Sequence, residues 1–120
     1  MKILICDDSL MIRRQLKNSI LLLGTHEVIE AENGNKAIEA YKTHCPDLVY
    51  MDIIMPELDG IGAVTGIISH DRDAKIVMLS SVGTQENLRD ALSAGAIDFI
   101  QKPIEMDLLK STLNKANGEA

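Results

Sequence analysis

Five residues with useful chemistry each follow on, or close, a short apolar run: Asp7 and Asp8 after 2–6, Asp52 closing 47–52, Ser80 closing 75–80, and Lys102 after 97–101. Clustered carboxylates repel one another unless a cation sits among them. An all-oxygen donor set suits a hard ion such as Mg2+. A divalent ion beside a carboxylate, with an ammonium group opposite, is an apparatus for stabilising a transferring phosphoryl group. Asp52 can act as the carboxylate nucleophile toward phosphorus. Lys102 and Ser80 can hold phosphoryl oxygens, one by charge and the other by hydrogen bonding. The chemistry requires only that four distant stretches of chain bring these groups together.

The elements that must do so are legible in the apolar pattern. Residues 2–6 (KILIC) form a run too short for a helix and predict a buried strand. Asp8 and Ser9 are helix-capping types, Ile12, Leu16, Ile20 and Leu23 then recur at three and four, and Gly24 closes that helix. Residues 27–31 predict a second strand, Asn33-Gly34 a turn, and 35–44 a helix burying Ala37, Ile38 and Tyr41. Pro46 breaks the pattern before a third strand at 47–52. A loop at 53–60 (IIMPELDG) leads to a helix at 61–69 and a fourth strand at 75–80. Thr84 caps a helix that buries Leu88, Ala91 and Leu92 and stops at Gly95. A fifth strand covers 97–101, and a last helix follows with Met106, Leu109 and Leu113 on one face.

Strands apolar through their length and separated by helices predict an α/β fold, a doubly wound five-stranded parallel sheet with five helices covering both faces. Such sheets bind ligands beyond the carboxyl ends of their strands. That is where the five residues fall.

Composition excludes several other functions. The formal charge is −6, from 12 basic and 18 acidic residues, which argues against a nucleic-acid surface. With no Trp, one Phe and two Tyr, base-stacking platforms are missing too. Cys6 and Cys45 are the only cysteines, so a disulfide framework is not expected and a reducing, cytoplasmic setting fits. His26, His44 and His70 lack ligand-like spacing. No stretch approaches a membrane span. At 120 residues the chain predicts one domain, able to bury roughly two-thirds of its unfolded surface.

Asp7-Asp8, the segment Met51-Asp52-Ile53-Ile54-Met55-Pro56-Glu57-Leu58-Asp59-Gly60, Ser80 and Lys102-Pro103 together resemble, in order and spacing, the receiver domain of two-component response regulators. The resemblance spans essentially residues 1–120, with no output domain, and extends to single-domain chemotaxis receivers. It implies a flavodoxin-like strand order 2-1-3-4-5, which is borrowed from the resemblance rather than derived. It also implies that Asp52 is the phosphoacceptor for a sensor histidine kinase, catalysing only its own phosphotransfer and slow autodephosphorylation. Mg2+ would be ligated by Asp8, Asp52 and the backbone carbonyl of Ile54, with Asp7 acting mostly through bound water. Lys102 would pair with the acyl phosphate, and the Lys102–Pro103 peptide would be cis. Ser80 and Phe99 would form the switch pair that alters the face of the fourth helix, fifth strand and fifth helix toward a downstream target protein. The protein would be a monomer or a weak, phosphorylation-dependent dimer.

Each residue alone has a plainer reading. Asp7-Asp8 can cap a helix, Ser80 can start a loop, Lys102 can be a solvated amine, Phe99 can be core, and Pro103 is more often trans. Their joint occurrence at successive strand ends outweighs these. A phosphatase of the haloacid dehalogenase type would want a second Asp at the position of Ile54, and a nucleotide or flavin binder would want glycines after the first strand. Three further readings stay open: a receiver cut from a larger regulator (a transcription factor or chemotaxis methylesterase), a relay intermediate, and a binding module independent of phosphorylation. Ile54 and Val82 are apolar where relatives often carry polar groups that orient a hydrolytic water, so a long-lived phosphoryl group is expected. Phe99 in place of the frequent Tyr leaves ring packing alone to drive the switch.

Overall fold

The computed structural model describes residues 1–118 apart from Pro56 and 82–84, with Asn87 described by its backbone alone. The predicted cap at Thr84 and the apolar Val82 therefore lie outside the described residues. Elements alternate along the chain as β1 (Lys2–Cys6), α1 (Leu10–Leu23), β2 (Glu27–Ala31), α2 (Gly34–His44), β3 (Leu48–Asp52), α3 (Gly60–His70), β4 (Ile76–Ser80), α4 (Gln85–Ala94), β5 (Asp98–Gln101) and α5 (Met106–Ala116). The strands form one parallel sheet in the order β2-β1-β3-β4-β5.

Side-chain alternation splits the interior into two cores. Leu4, Val49, Met51, Ile76 and Met78 face α2, α3 and α4, where Ala37, Ala63, Val64, Ile67 and Ala91 meet them. Ile3, Ile5, Leu48, Tyr50, Val77 and Leu79 face α1 and α5, packing on Leu16, Ile20, Leu109 and Leu113. A hydrogen bond of 2.7 Å between the buried Tyr50 hydroxyl and Thr112 Oγ1 fastens α5 to the central strand. Thr112 Oγ1 in turn donates to the Leu109 carbonyl.

Two expectations need correction. Asn33-Gly34 is a helix start rather than a free turn: the Asn33 side chain accepts from the Lys36 N–H as N-cap, and Gly34 is the first residue of α2. Leu88 and Leu92 are exposed, because α4 lies at the sheet's margin against α3 and β5 and buries little beyond Ala91. Met106, for which the pattern predicts only a shared face with Leu109 and Leu113, is exposed, since the first turn of α5 precedes the stretch in which those two reach the sheet.

Gly60 shows how tightly the loop after β3 folds back on the strand. A Cβ there would lie 2.1 Å from the Asp52 carbonyl oxygen and 2.7 Å from Ile53 Cα, both backbone atoms with little freedom to retreat. Gly60→Ala is therefore expected to destabilise the fold by at least about 2 kcal/mol in urea unfolding. An unchanged midpoint would contradict this close approach.

Candidate functional site

Strand order reverses at β1, whose neighbours β2 and β3 lie on opposite sides. The crevice beyond the carboxyl ends of β1 and β3 is thus the topological switch point, where α/β sheets bind ligands. β1 delivers Asp7 and Asp8 to it, and β3 delivers Asp52. Carboxylate oxygens of these three acids lie within 4.8 Å of one another. Asp7 and Asp52 are buried while Asp8 is exposed, so the cluster opens to solvent on one side.

Lys102 enters from beyond β5, where its N–H bonds the Ser80 carbonyl at 2.7 Å. Its Nζ lies 2.8 Å from Asp7 Oδ2 and 3.4 Å from Asp52 Oδ1. The amine therefore serves both acids but sits closer to Asp7. The Lys102–Pro103 peptide is cis. Burial first, and then the charge of Asp7, pushes the Asp52 carboxyl up to about 6, against the opposing pull of Lys102. Burial alone would lower the Lys102 amine, but its hydrogen bond to Asp7 and the charge of Asp52 hold it above its ordinary value.

One ammonium charge cannot balance three carboxylates this close together, and the charge of Asp7 adds to burial in raising the Asp52 carboxyl. An all-oxygen, partly open cluster of this kind fits a small hard cation.

Ser80 ends β4 and is buried. Its alternation with Ile76 and Met78 places it on the α3–α4 face of the sheet. Phe99 pairs in register with Met78 and packs, half-buried, against that same core. Ile54, two residues beyond Asp52, is 64% exposed.

Two local features were not anticipated from sequence. Glu57 adopts a left-handed conformation at φ 67°, which costs a non-glycine residue about 1 kcal/mol and turns the loop toward the Gly60 contact. Arg13 of α1 reaches under the acid pair, with its Nη1 donating to the Asp7 carbonyl at 2.6 Å and its Nε to Glu30 Oε1 at 3.1 Å. No local signal separates Arg13 from its neighbour Arg14.

A family model described as the response regulator receiver domain matches residues 3–114. The chain is 47% identical over 114 residues to the chemotaxis protein CheY of Bacillus subtilis (strain 168), covering 95% of each. It is 40% identical over 105 residues to protein-glutamate methylesterase/protein-glutamine glutaminase 3 of Rhodospirillum rubrum, covering 85% of this chain and 28% of that one. Among solved structures, the CheX-CheY-BeF3-Mg complex from Borrelia burgdorferi gives a TM-score of 0.92 at 31% identity, over 98% of this chain and 89% of that chain. An acid-lined crevice at the switch point and a family match along nearly the whole sequence lead to one conclusion: the chain belongs to the response regulator receiver domain family and serves two-component phosphoacceptor signalling.

Proposed function

We propose that residues 1–120 act as a CheY-like receiver that takes a phosphoryl group on Asp52 from a sensor histidine kinase and thereby changes its affinity for a downstream protein. The observation that carries this reading is Asp52 itself, a buried carboxylate at a strand end, flanked by two further acids and an amine.

Mg2+, held by Asp8, Asp52 and the Ile54 backbone carbonyl with Asp7 acting mostly through bound water, would neutralise charge on the transferring phosphoryl group. Asp52 supplies the attacking carboxylate oxygen. Lys102 follows the new negative charge, moving from Asp7 toward the acyl phosphate. Ser80 turns its hydroxyl to a phosphoryl oxygen, and Phe99, on the same side of the sheet, packs into the space released. The chain's own catalysis ends with this transfer and a slow autodephosphorylation.

The face of α4, β5 and α5 is the docking surface for the target. It is supported by exposed apolar residues there: Leu88, Leu92, Ile97, Met106 and Leu108. A chemotaxis role is supported by the 47% identity over 114 residues to the Bacillus chemotaxis protein. Among the described residues no helix is long and apolar enough to cross a membrane, and the cytoplasm is the proposed place of action. The species is a monomer or a weak dimer formed on phosphorylation.

Treatment with acetyl phosphate, with and without Mg2+, tests this reading by intact-mass measurement. A single Mg2+-dependent phosphoryl adduct is expected. Rapid release of free phosphate would instead indicate a phosphatase, and no adduct a phosphorylation-independent module. With an exposed, apolar side chain two residues beyond Asp52, Ile54 cannot orient a hydrolytic water. Ile54→Asn is therefore expected to shorten the phosphoryl lifetime several-fold, on the order of 1 kcal/mol in the barrier. An unchanged lifetime would count against that role.

A further inference from the structure

We propose that Arg13 is a positioning residue for the metal-binding acids: its guanidinium sets the plane of the peptide joining Asp7 to Asp8 and so aims the Asp8 carboxylate into the pocket. This rests on the Mg2+ reading above.

Every polar group of Asp7 is clamped. Its N–H donates to the Ala31 carbonyl at 3.2 Å. Its Oδ1 accepts from the Ser9 N–H at 2.9 Å, and its Oδ2 accepts from Lys102 Nζ at 2.8 Å. Its carbonyl oxygen accepts from Arg13 Nη1 at 2.6 Å. That last clamp differs in kind, because the Asp7 carbonyl belongs to the peptide unit that leads into Asp8. Fixing a peptide plane fixes the direction in which the next residue leaves it. Among the described residues no side-chain hydrogen bond holds the Asp8 carboxylate, so its backbone sets its aim.

The guanidinium is itself immobilised. Its Nε donates to Glu30 Oε1 on β2 at 3.1 Å, and the side chain is only 11% exposed. Arg13 thus ties the carboxyl end of β1 to the edge strand through two bonds at a fixed angle. A lysine at this position would keep the charge but could not make both bonds from one planar fork.

The test is Mg2+ binding to the unphosphorylated protein by calorimetric titration, with metal-free melting temperatures measured in parallel. Arg13→Lys and Arg13→Met are each expected to weaken Mg2+ binding about 10-fold, as loss of a group that orients a ligand does. Glu30→Gln, which leaves the guanidinium in place but loosened, is expected to weaken it by a smaller factor. Initial phosphorylation rates with acetyl phosphate should recover toward wild type at saturating Mg2+. Wild-type affinity in Arg13→Lys would show that charge suffices and would overturn the proposal. So would a lowered melting temperature with unchanged affinity in Arg13→Met and Glu30→Gln. Failure of the wild-type protein to bind Mg2+ would instead overturn the metal reading and, with it, this one.

Discussion

Asp52→Asn is expected to abolish the phosphoryl adduct and, in metal-free buffer near neutral pH, to make the protein more stable than wild type. Burial and the charge of Asp7 raise the Asp52 carboxyl from an ordinary 3.8 to about 6. Between those values the folded state keeps a proton that the unfolded chain has released. The stabilising contribution of that proton is complete below the unfolded value and is lost as pH rises through about 6. Asparagine carries no such charge and has the same shape. Lys102 is not orphaned by the change, since it retains Asp7 at 2.8 Å. The variant's advantage should be near zero at about pH 4 and reach on the order of 2 kcal/mol above about pH 7, in urea unfolding with chelator present. Saturating Mg2+ should reverse the order, because ligand at about 100 times its dissociation constant adds about 2.7 kcal/mol to a protein that binds it. A metal-free Asn variant less stable than wild type at neutral pH would contradict the crowding of charge at this pocket.

The strand ends were legible from sequence because the informative residues interrupt apolar runs. Asp7 after KILIC and Asp52 after LVYM are visible without any knowledge of tertiary structure. What the pattern could not reveal is how the strand-end groups divide their partners. Lys102 stands nearer to Asp7 than to Asp52, a preference set by which acid lies deeper beside the β5–α5 turn. The pattern also misjudged burial at Leu88 and Leu92. Helical period tells which residues share a face, not whether that face meets the sheet, and α4 and the first turn of α5 overhang its margin. Both residues fall on the face proposed for the target, so a binding surface imitates a core stripe in sequence. Asn33 is both a turn former and a capping residue, and only the path of the chain into α2 decides between the two. Arg13 and Glu30, or Tyr50 and Thr112, meet across long separations that no local rule reads.

Lys102→Met should have the opposite effect on stability from Asp52→Asn, and should slow the protein's chemistry rather than abolish it. Asp7 is 1% exposed, and Lys102 is its cationic partner at 2.8 Å. Losing the amine leaves a buried carboxylate with the Ser9 N–H but no cation bonded to its oxygens, the Arg13 guanidinium reaching only the Asp7 carbonyl. Breaking a buried pair from one side typically costs 3–5 kcal/mol. Lys102 is 20% exposed, so entering water offsets part of that cost, and about 2–3 kcal/mol is expected in metal-free urea unfolding. The amine's raised pKa means that its stabilising effect is complete below its unfolded value and is lost only as pH rises through the folded one. The Asp7 part of the loss should therefore be nearly flat from about pH 6 to pH 9, while the Asp52 part grows as pH rises through that carboxyl's value, which loss of the amine pushes higher still. Adding Asp7→Asn to Lys102→Met should recover most of the stability, since neither charge is then left unpaired. Mg2+ should restore part of it in the single variant by supplying a cation to the same acids. Phosphorylation by acetyl phosphate at saturating Mg2+ should nevertheless stay about 100-fold slower, because a metal at the acid cluster does not replace the donor opposite the transferring group. If Lys102→Met unfolded at the wild-type midpoint, or if Asp7→Asn failed to rescue it, the Asp7–Lys102 pair would not be what holds this pocket together.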